Sequence, residues 1–344
     1  MQKEITQNGM LLTPRGDLAQ VGWSRQPLLD CNLEAANFYK WHFLQRFRIK
    51  RWDYYAIFTP KRFFSATLAD LGYAGNIFVY TLDFASTDLH EEGLVIPFAK
   101  GITLPRNSTE GVSHFAGKGV TLTFQVQDQQ RHLIVSWPAF QQGRGIEADI
   151  WLEAPPLFES MNIVISIGKK RFYYNRKINC LPARGSLRYG DEHEILNPSD
   201  SIGSLDWGRG VWEYRSFWNW ASASGFQADG STIGLNLGCG FGDLSSATEN
   251  ALIYRNRIHK LDQVTFEYQS GDYMQPWRFR DNQGRLDLTF IPFKERIAKT
   301  NLGIIYSEVH QMFGHYHGWA ITDDQQKLTI SDLIGFAEEH HARW

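Results

Sequence analysis

Residues 206–225 read DWGRGVWEYRSFWNWASASG and set Glu213, Arg215 and Asn219 among tryptophans. A carboxyl group held among rings is desolvated, stays protonated near neutral pH and can serve as a general acid. A guanidinium in the same setting is the natural partner of a carboxylate or phosphate headgroup, and an amide can orient it. Strand alternation over 211–224 puts Trp212, Tyr214, Ser216, Trp218, Trp220, Ser222 and Ser224 on one face. Val211, Glu213, Arg215, Phe217, Asn219, Ala221 and Ala223 take the other. The first face is a wall of rings that must bury against something large and apolar. The second suits a barrel lumen in which a few polar groups converge on a ligand. The competing reading is a surface ion pair between Glu213 and Arg215 on an edge-like strand.

A second candidate is FGHYHGW (313–319), where His315 and His317 share one strand face. Histidine titrates near neutrality, so either could act as acid or base. The pair could bind zinc only with a third ligand, for which His310, His340, His341 and Glu338 qualify by chain order alone. A hydrogen-bonded rim pair is preferred, and no metal or cofactor is expected. GLNLGCGFGDL (234–244) spaces its glycines as GxGxG, with no following helix and no βαβ unit. Close strand packing is preferred there to a phosphate loop. Glu249 and Asn250 of TENAL read as capping or turn residues. No GxSxG elbow is present, which argues against serine hydrolysis.

The elements that must position these residues are strands. Over 119–140, Leu122, Phe124 and Val126 alternate with polar residues, a turn follows at Asp128–Gln130, and a second β-rich run returns. Similar strand–turn–strand units fall at 161–175, with a turn at Gly168–Lys169, and at 247–268. Turn signals every 8–12 residues indicate a sandwich or barrel rather than βαβ units. The one helix candidate is 33–47. The basic run RFRIKRW (46–52) reads as a strand with a solvated face. Two strand-rich halves, 1–190 and 191–344, meet in a segment rich in Pro, Gly, Ser and Asp.

The formal net charge of −2 gives no electrostatic reason to expect nucleic acid or an anionic membrane surface. No window approaches a spanning helix, so no integral membrane segment is expected. The N-terminus lacks a signal-peptide design, and Cys31, Cys180 and Cys239 are widely spaced and odd in number. Free thiols and a cytoplasmic location are the default expectation.

Ordered motifs run through the chain: LLTPRGDLAQVGWSRQPLLDCN (11–32), KRWDYY (50–55), LADLGYAG (68–75), YYNRKINCLPARG (173–185), the tryptophan segment, TENALIYRNRIHKL (248–261) and IGFAEEHHARW (334–344). In these the chain resembles the bacterial family of unknown function DUF2804. That family is similar to the carotenoid 1,2-hydratase, AttH and tocopherol-cyclase-like group. The resemblance implies an all-β fold of two tandem lipocalin-like β-barrels or sandwiches of the calycin superfamily, with few short helices. It also implies that a tryptophan strand early in the second domain lines a cavity, and that a Gly-aromatic-x-Glu strand, here Gly335-Phe336-Ala337-Glu338, closes the chain. The chain departs from the hydratase pattern at Trp212-Glu213-Tyr214-Arg215-Ser216 and at Tyr254-Arg255-Asn256, which lacks an acid, so hydratase chemistry does not carry over.

Together these readings predict an apolar, elongated ligand, a lipid, fatty-acyl or isoprenoid-like molecule, bound by Trp212, Tyr214, Arg215, Trp218, Asn219, Trp220, Tyr254 and Glu338. An enzyme of lyase, hydratase or isomerase type would use Glu213, His315 or His317 as the acid. A purely structural β protein, with Glu213 and Arg215 facing solvent and no cavity, is the third option.

Overall fold

The computed structural model describes residues 2–155, 157–301, 303 and 305–343. Among these residues, thirteen strands join one sheet and nine another. The main path of the first sheet orders Leu89–Pro97, Ala74–Asp83, Arg62–Asp70, Ile49–Phe58, Ile202–Val211, Arg171–Tyr189, Ile146–Glu153, Gln130–Trp137, Val120–Gln127 and Gly111–Gly117. The second orders Arg257–Lys260, Ala251–Tyr254, Thr232–Cys239, Arg215–Phe226, Lys327–Arg343, Tyr306–Ile321, Leu286–Asn301, Trp277–Asp281 and Val264–Glu267. The all-β expectation holds. Both sheets curl, and no helix among the described residues is long and apolar enough to cross a membrane.

Local turn chemistry explains the hairpins. Asp128 and Gln129 both take positive φ (51° and 66°) between paired strands, the geometry of a two-residue type I′ turn. Arg255 and Asn256 do the same (50° and 64°) after Tyr254. The expected helix over 33–47 is instead two short 3-10 turns, Leu33–Ala35 and His42–Phe47. Buried Gln45 reorganises this segment. Its Oε1 accepts the backbone N–H groups of Phe38 and Tyr39, and its Nε2 donates to the Tyr39 carbonyl at 2.5 Å, replacing a helical ladder.

Three apolar clusters follow from strand parity. In Ile49–Phe58, Tyr55 and Ile57 enter the core of the first sheet, whereas Tyr54, Ala56 and Phe58 point the other way. In the tryptophan strand, Ala221 and Ala223 enter the core of the second sheet, whereas Trp220 points away from it. The residues pointing away meet one another. Tyr54, Phe63, Tyr80, Tyr173, Trp212, Trp220, Phe313 and Phe336 form a third cluster between the sheets. The ring wall is therefore buried against another sheet.

Gly190 lies in a turn of the first sheet, and the chain passes from one sheet to the other across residues 212–214. A bulge in Arg171–Tyr189 fastens the two. The register shifts between Ile178 and Leu181, and Cys180 adopts φ 64°. Asn179, buried there, places Nδ2 2.8 Å from Ser222 Oγ and 3.2 Å from the Leu235 carbonyl, both in the second sheet. The Cys180 N–H donates to Ser224 Oγ at 3.1 Å. Asn179→Ala removes the Nδ2 donor from this buried site and leaves the Cys180 N–H in place. Urea unfolding is expected to show a loss of about 1–3 kcal/mol. A change below about 0.5 kcal/mol, the size of an ordinary surface substitution, would mean that the bulge does not hold the sheets together.

Candidate functional site

A cavity of about 690 Å³ lies between the two sheets. Lys50, Trp52 and Tyr54, alternate residues of Ile49–Phe58, line it from the first sheet, with Phe78, Tyr80, Glu91, Tyr173, Lys177 and Asp206. Trp218, Trp220, Arg296, Gln311, Glu338 and His340 line it from the second, and Trp212 lines it from the crossover. The rings pack edge to face. Trp212 is 4.9 Å from Trp52, 4.7 Å from Phe241 and 5.5 Å from Trp218, centroid to centroid. Such a wall buries apolar surface and presents negative π faces to whatever lies against it.

Glu338 is the most distinctive polar group in this wall. Its Oε1 accepts from Trp218 Nε1 at 3.3 Å and its Oε2 from Gln311 Nε2 at 3.1 Å. Gln311 Oε1 in turn accepts from Tyr80 Oη at 3.0 Å, and Tyr80 Oη lies 2.8 Å from Tyr54 Oη. A line of hydrogen bonds thus crosses from one sheet to the other and ends on the carboxyl. Burial pushes Glu338 up to about 7, against the opposing pull of Arg296 and of the Trp218 N–H. Arg296 does not neutralise it by pairing, because its guanidinium is held bidentately by Glu91 at 2.8 and 2.6 Å. Near neutral pH Glu338 therefore retains a proton for much of the time, inside an aromatic cavity.

A second polar group adjoins it. Lys177 Nζ lies 2.9 Å from Asp206 Oδ2, 3.7 Å from Glu249 Oε2 and 3.8 Å from the Trp220 ring centroid. Asp206 also accepts from Asn175 at 2.6 Å, and Glu249 from Asn236 at 3.2 Å. Gly238 makes room for Glu249, since a Cβ there would meet Glu249 Oε1 at 2.1 Å. The glycine-rich stretch serves close packing, and Glu249, expected to cap a turn, reaches the cavity. The His340 ring packs against Trp218 at 3.9 Å, tilted by 44°, and its Nε2 lies 2.9 Å from Ser307 Oγ. Burial, with Arg296 and His341 adding, pushes His340 down to about 3, so it is neutral.

Of the residues expected from sequence, Trp212, Trp218, Trp220 and Glu338 meet at this cavity. The others lie elsewhere. Glu213 falls in the three-residue crossover, where strand alternation stops. Its side chain is 49% exposed and 3.9 Å from Arg171, so it does not reach the cavity as an acid. Arg215 is exposed in a separate surface pocket with Tyr306, His341 and Arg343, and Tyr214 is exposed. Asn219 points into the second sheet's own interior and donates to Tyr268 Oη at 3.0 Å. Tyr254 belongs to that same core. His315 and His317 are more than a third exposed and face Asp332 at 3.7 and 3.5 Å, outside the cavity. Among the described residues no group of three or more His, Cys, Asp or Glu side chains is placed to hold a metal ion.

Sequence reasoning missed Lys50, Tyr80, Lys177, Asp206, Arg296 and Gln311. For Lys50 a signal existed, because KRWDYY puts Lys50, Trp52 and Tyr54 on one face. For the rest, the grouping exists only once two distant sheets face each other.

The chain matches the family described as Domain of unknown function (DUF2804) over residues 2–344, and it belongs to that family. No curated protein matches it. Among solved structures, it is similar to a putative AttH from Nitrosomonas europaea, with 14% identity over 85% of this chain and 92% of that one and a TM-score of 0.51. It also aligns with kievitone hydratase from Nectria haematococca, at 12% identity over 86% and 88% of the two chains and a TM-score of 0.43. The likeness to the putative AttH concerns the fold alone.

The raised Glu338 carboxyl has a measurable consequence. Its ordinary value is 4.5. Between there and about 7 the folded protein holds a proton that the unfolded chain has lost. The stabilisation is therefore complete below 4.5 and is lost as pH rises through 7. Relative to Glu338→Gln, the wild type should lose about 3 kcal/mol across that window and none above it. The His340 contribution has the opposite slope, but it is common to both proteins and drops out of the difference. Parallel stability curves in chemical denaturation from pH 4 to 8 would show that Glu338 ionises as an ordinary carboxyl.

Proposed function

We propose that this member of the DUF2804 family binds an apolar, elongated and unsaturated ligand between its two sheets and transfers a proton to it from Glu338. The observation that carries this reading is a buried carboxyl, held up to about 7, lining a 690 Å³ aromatic cavity. The volume lies within the range of small-molecule sites, and the few convergent polar groups fit one.

The geometry supports a simple cycle. Trp218 and Gln311 occupy acceptor positions on the carboxyl oxygens, which fixes the group and leaves its O–H available to the ligand. The Glu338 O–H bond breaks as the π pair of a C=C bond takes the proton. The resulting cation is faced by the aromatic rings of the cavity wall, an attraction worth about 2 kcal/mol when desolvated. Glu338, now a carboxylate, regains a proton from the adjacent carbon, which isomerises the ligand. Alternatively it regains the proton from a water whose oxygen has added to the cation, which hydrates it. Either route restores the acid without oxidant or reductant. The neutral His340 adds no competing positive charge beside Trp218.

The test uses protein purified from its own host, in which co-purifying lipids are extracted, identified and then incubated with the protein in deuterated water. Carbon-bound deuterium in the recovered lipid is the expected result. Glu338→Gln should retain the ligand but lose about 10²-fold or more of the exchange rate. Ligand retained without any deuterium in either protein would replace the enzyme by a carrier. Exchange unchanged in Glu338→Gln would place the acid elsewhere.

A further inference from the structure

Lys50 is 3% exposed and lines the cavity, yet it forms no ion pair with any described residue. Its Nζ donates to the Leu71 carbonyl at 2.7 Å and lies 4.2 Å from the Tyr73 ring centroid. An ammonium has three donors, and here one carbonyl and one π face serve it. Every other buried cation of the cavity has its counter-charge: Arg296 has Glu91, and Lys177 has Asp206 and Glu249. Asp70, the acid whose charge acts on Lys50, is engaged by Arg51 and by the Gly72 N–H at 2.7 Å. Burial, reinforced by Arg48 and opposed by Asp70, pushes the Lys50 ammonium down to about 7, as expected for a buried cation without a matching anion.

From this geometry we infer that the ligand is an amphipathic carboxylate whose acid group pairs with Lys50. The inference rests on the apolar-ligand reading of the cavity and names its substrate class. Two observations favour a carboxylate over a phosphate. The unmatched group is a single ammonium, a point charge suited to a monoanion, rather than the guanidinium fork that grips phosphate. Arg48, the other cation nearby, is committed to the Trp212 carbonyl at 2.7 Å and to the face of Phe38, and it does not line the cavity. The strand fixes the spacing. Lys50 precedes Tyr54 by four residues on the same face, roughly 13 Å along the strand. Tyr54 begins the hydrogen-bonded line that ends on Glu338. An anchored headgroup would thus leave an apolar chain running past Trp52 toward the acid.

The experiment compares oleic acid, its methyl ester, oleyl alcohol and oleyl phosphate. Binding is read from tryptophan fluorescence and calorimetry on the wild type, Lys50→Met and Lys50→Arg. The acid should bind the wild type about tenfold or more tightly than the ester or alcohol, the size of one charge-assisted hydrogen bond. Lys50→Met should keep ester binding and lose the preference, and Lys50→Arg should restore part of it. Equal binding of acid and ester, a preference that survives in Lys50→Met, or tighter binding of the phosphate would each overturn the carboxylate assignment while leaving the cavity reading intact. Binding of none of the four would overturn both. The wild-type comparison stands even if Lys50→Met fails to fold.

Discussion

Each central strand of this protein must satisfy two buried faces at once. A sheet ordinarily commits one face to a core and leaves the other to water. Here Ile49–Phe58 sends Tyr55 and Ile57 into one core and Tyr54, Ala56 and Phe58 into another, and the tryptophan strand does the same with Ala221 and Trp220. Two curled sheets with apolar backs have little choice but to stack back to back. Large rings do not tile such an interface without gaps, and Trp52, Trp212, Trp218 and Trp220 line the cavity that remains.

The same parity sets the electrostatics. Glu338 and Glu339 are neighbours in the chain and face opposite ways. Glu339 enters the second sheet's interior, where it accepts from Tyr268, Tyr273 and His341, and those bonds outweigh its burial and hold it below the usual carboxylate range. Glu338 faces the cavity with weaker donors and moves the other way. One residue of register separates an ordinary anion from an acid still protonated near neutral pH. Desolvation lifts Glu338 in the cavity, whereas the three donors around Glu339 offset its smaller desolvation and lower it.

Much of this architecture is legible in the sequence. Period-two alternation and turn residues mark the strands, and the density of rings requires a second apolar body behind the tryptophan strand. Glu338 is reached through the resemblance of Gly335–Glu338 to a closing strand, with no hint of its environment. The assignment of Glu213 as acid fails for a local reason, because it extends alternation through three residues that belong to a crossover. His315 and His317 have the right chemistry but sit at the surface beside Asp332. Lys177, Asp206 and Glu249 come from three separate segments, so no spacing rule could unite them. Lys50 reads as part of a solvated basic run, yet its ammonium is buried against the Leu71 carbonyl and the Tyr73 ring.

The bulge at Asn179–Cys180 bears on how such a protein comes to exist at all. It ties the two halves together beside the cavity, because the first sheet's bonds end on Ser222, Ser224 and Leu235 of the second. A chain cut between the sheets would not yield half a binding site of half the affinity. It would yield two sheets with bare aromatic backs, each a surface for aggregation.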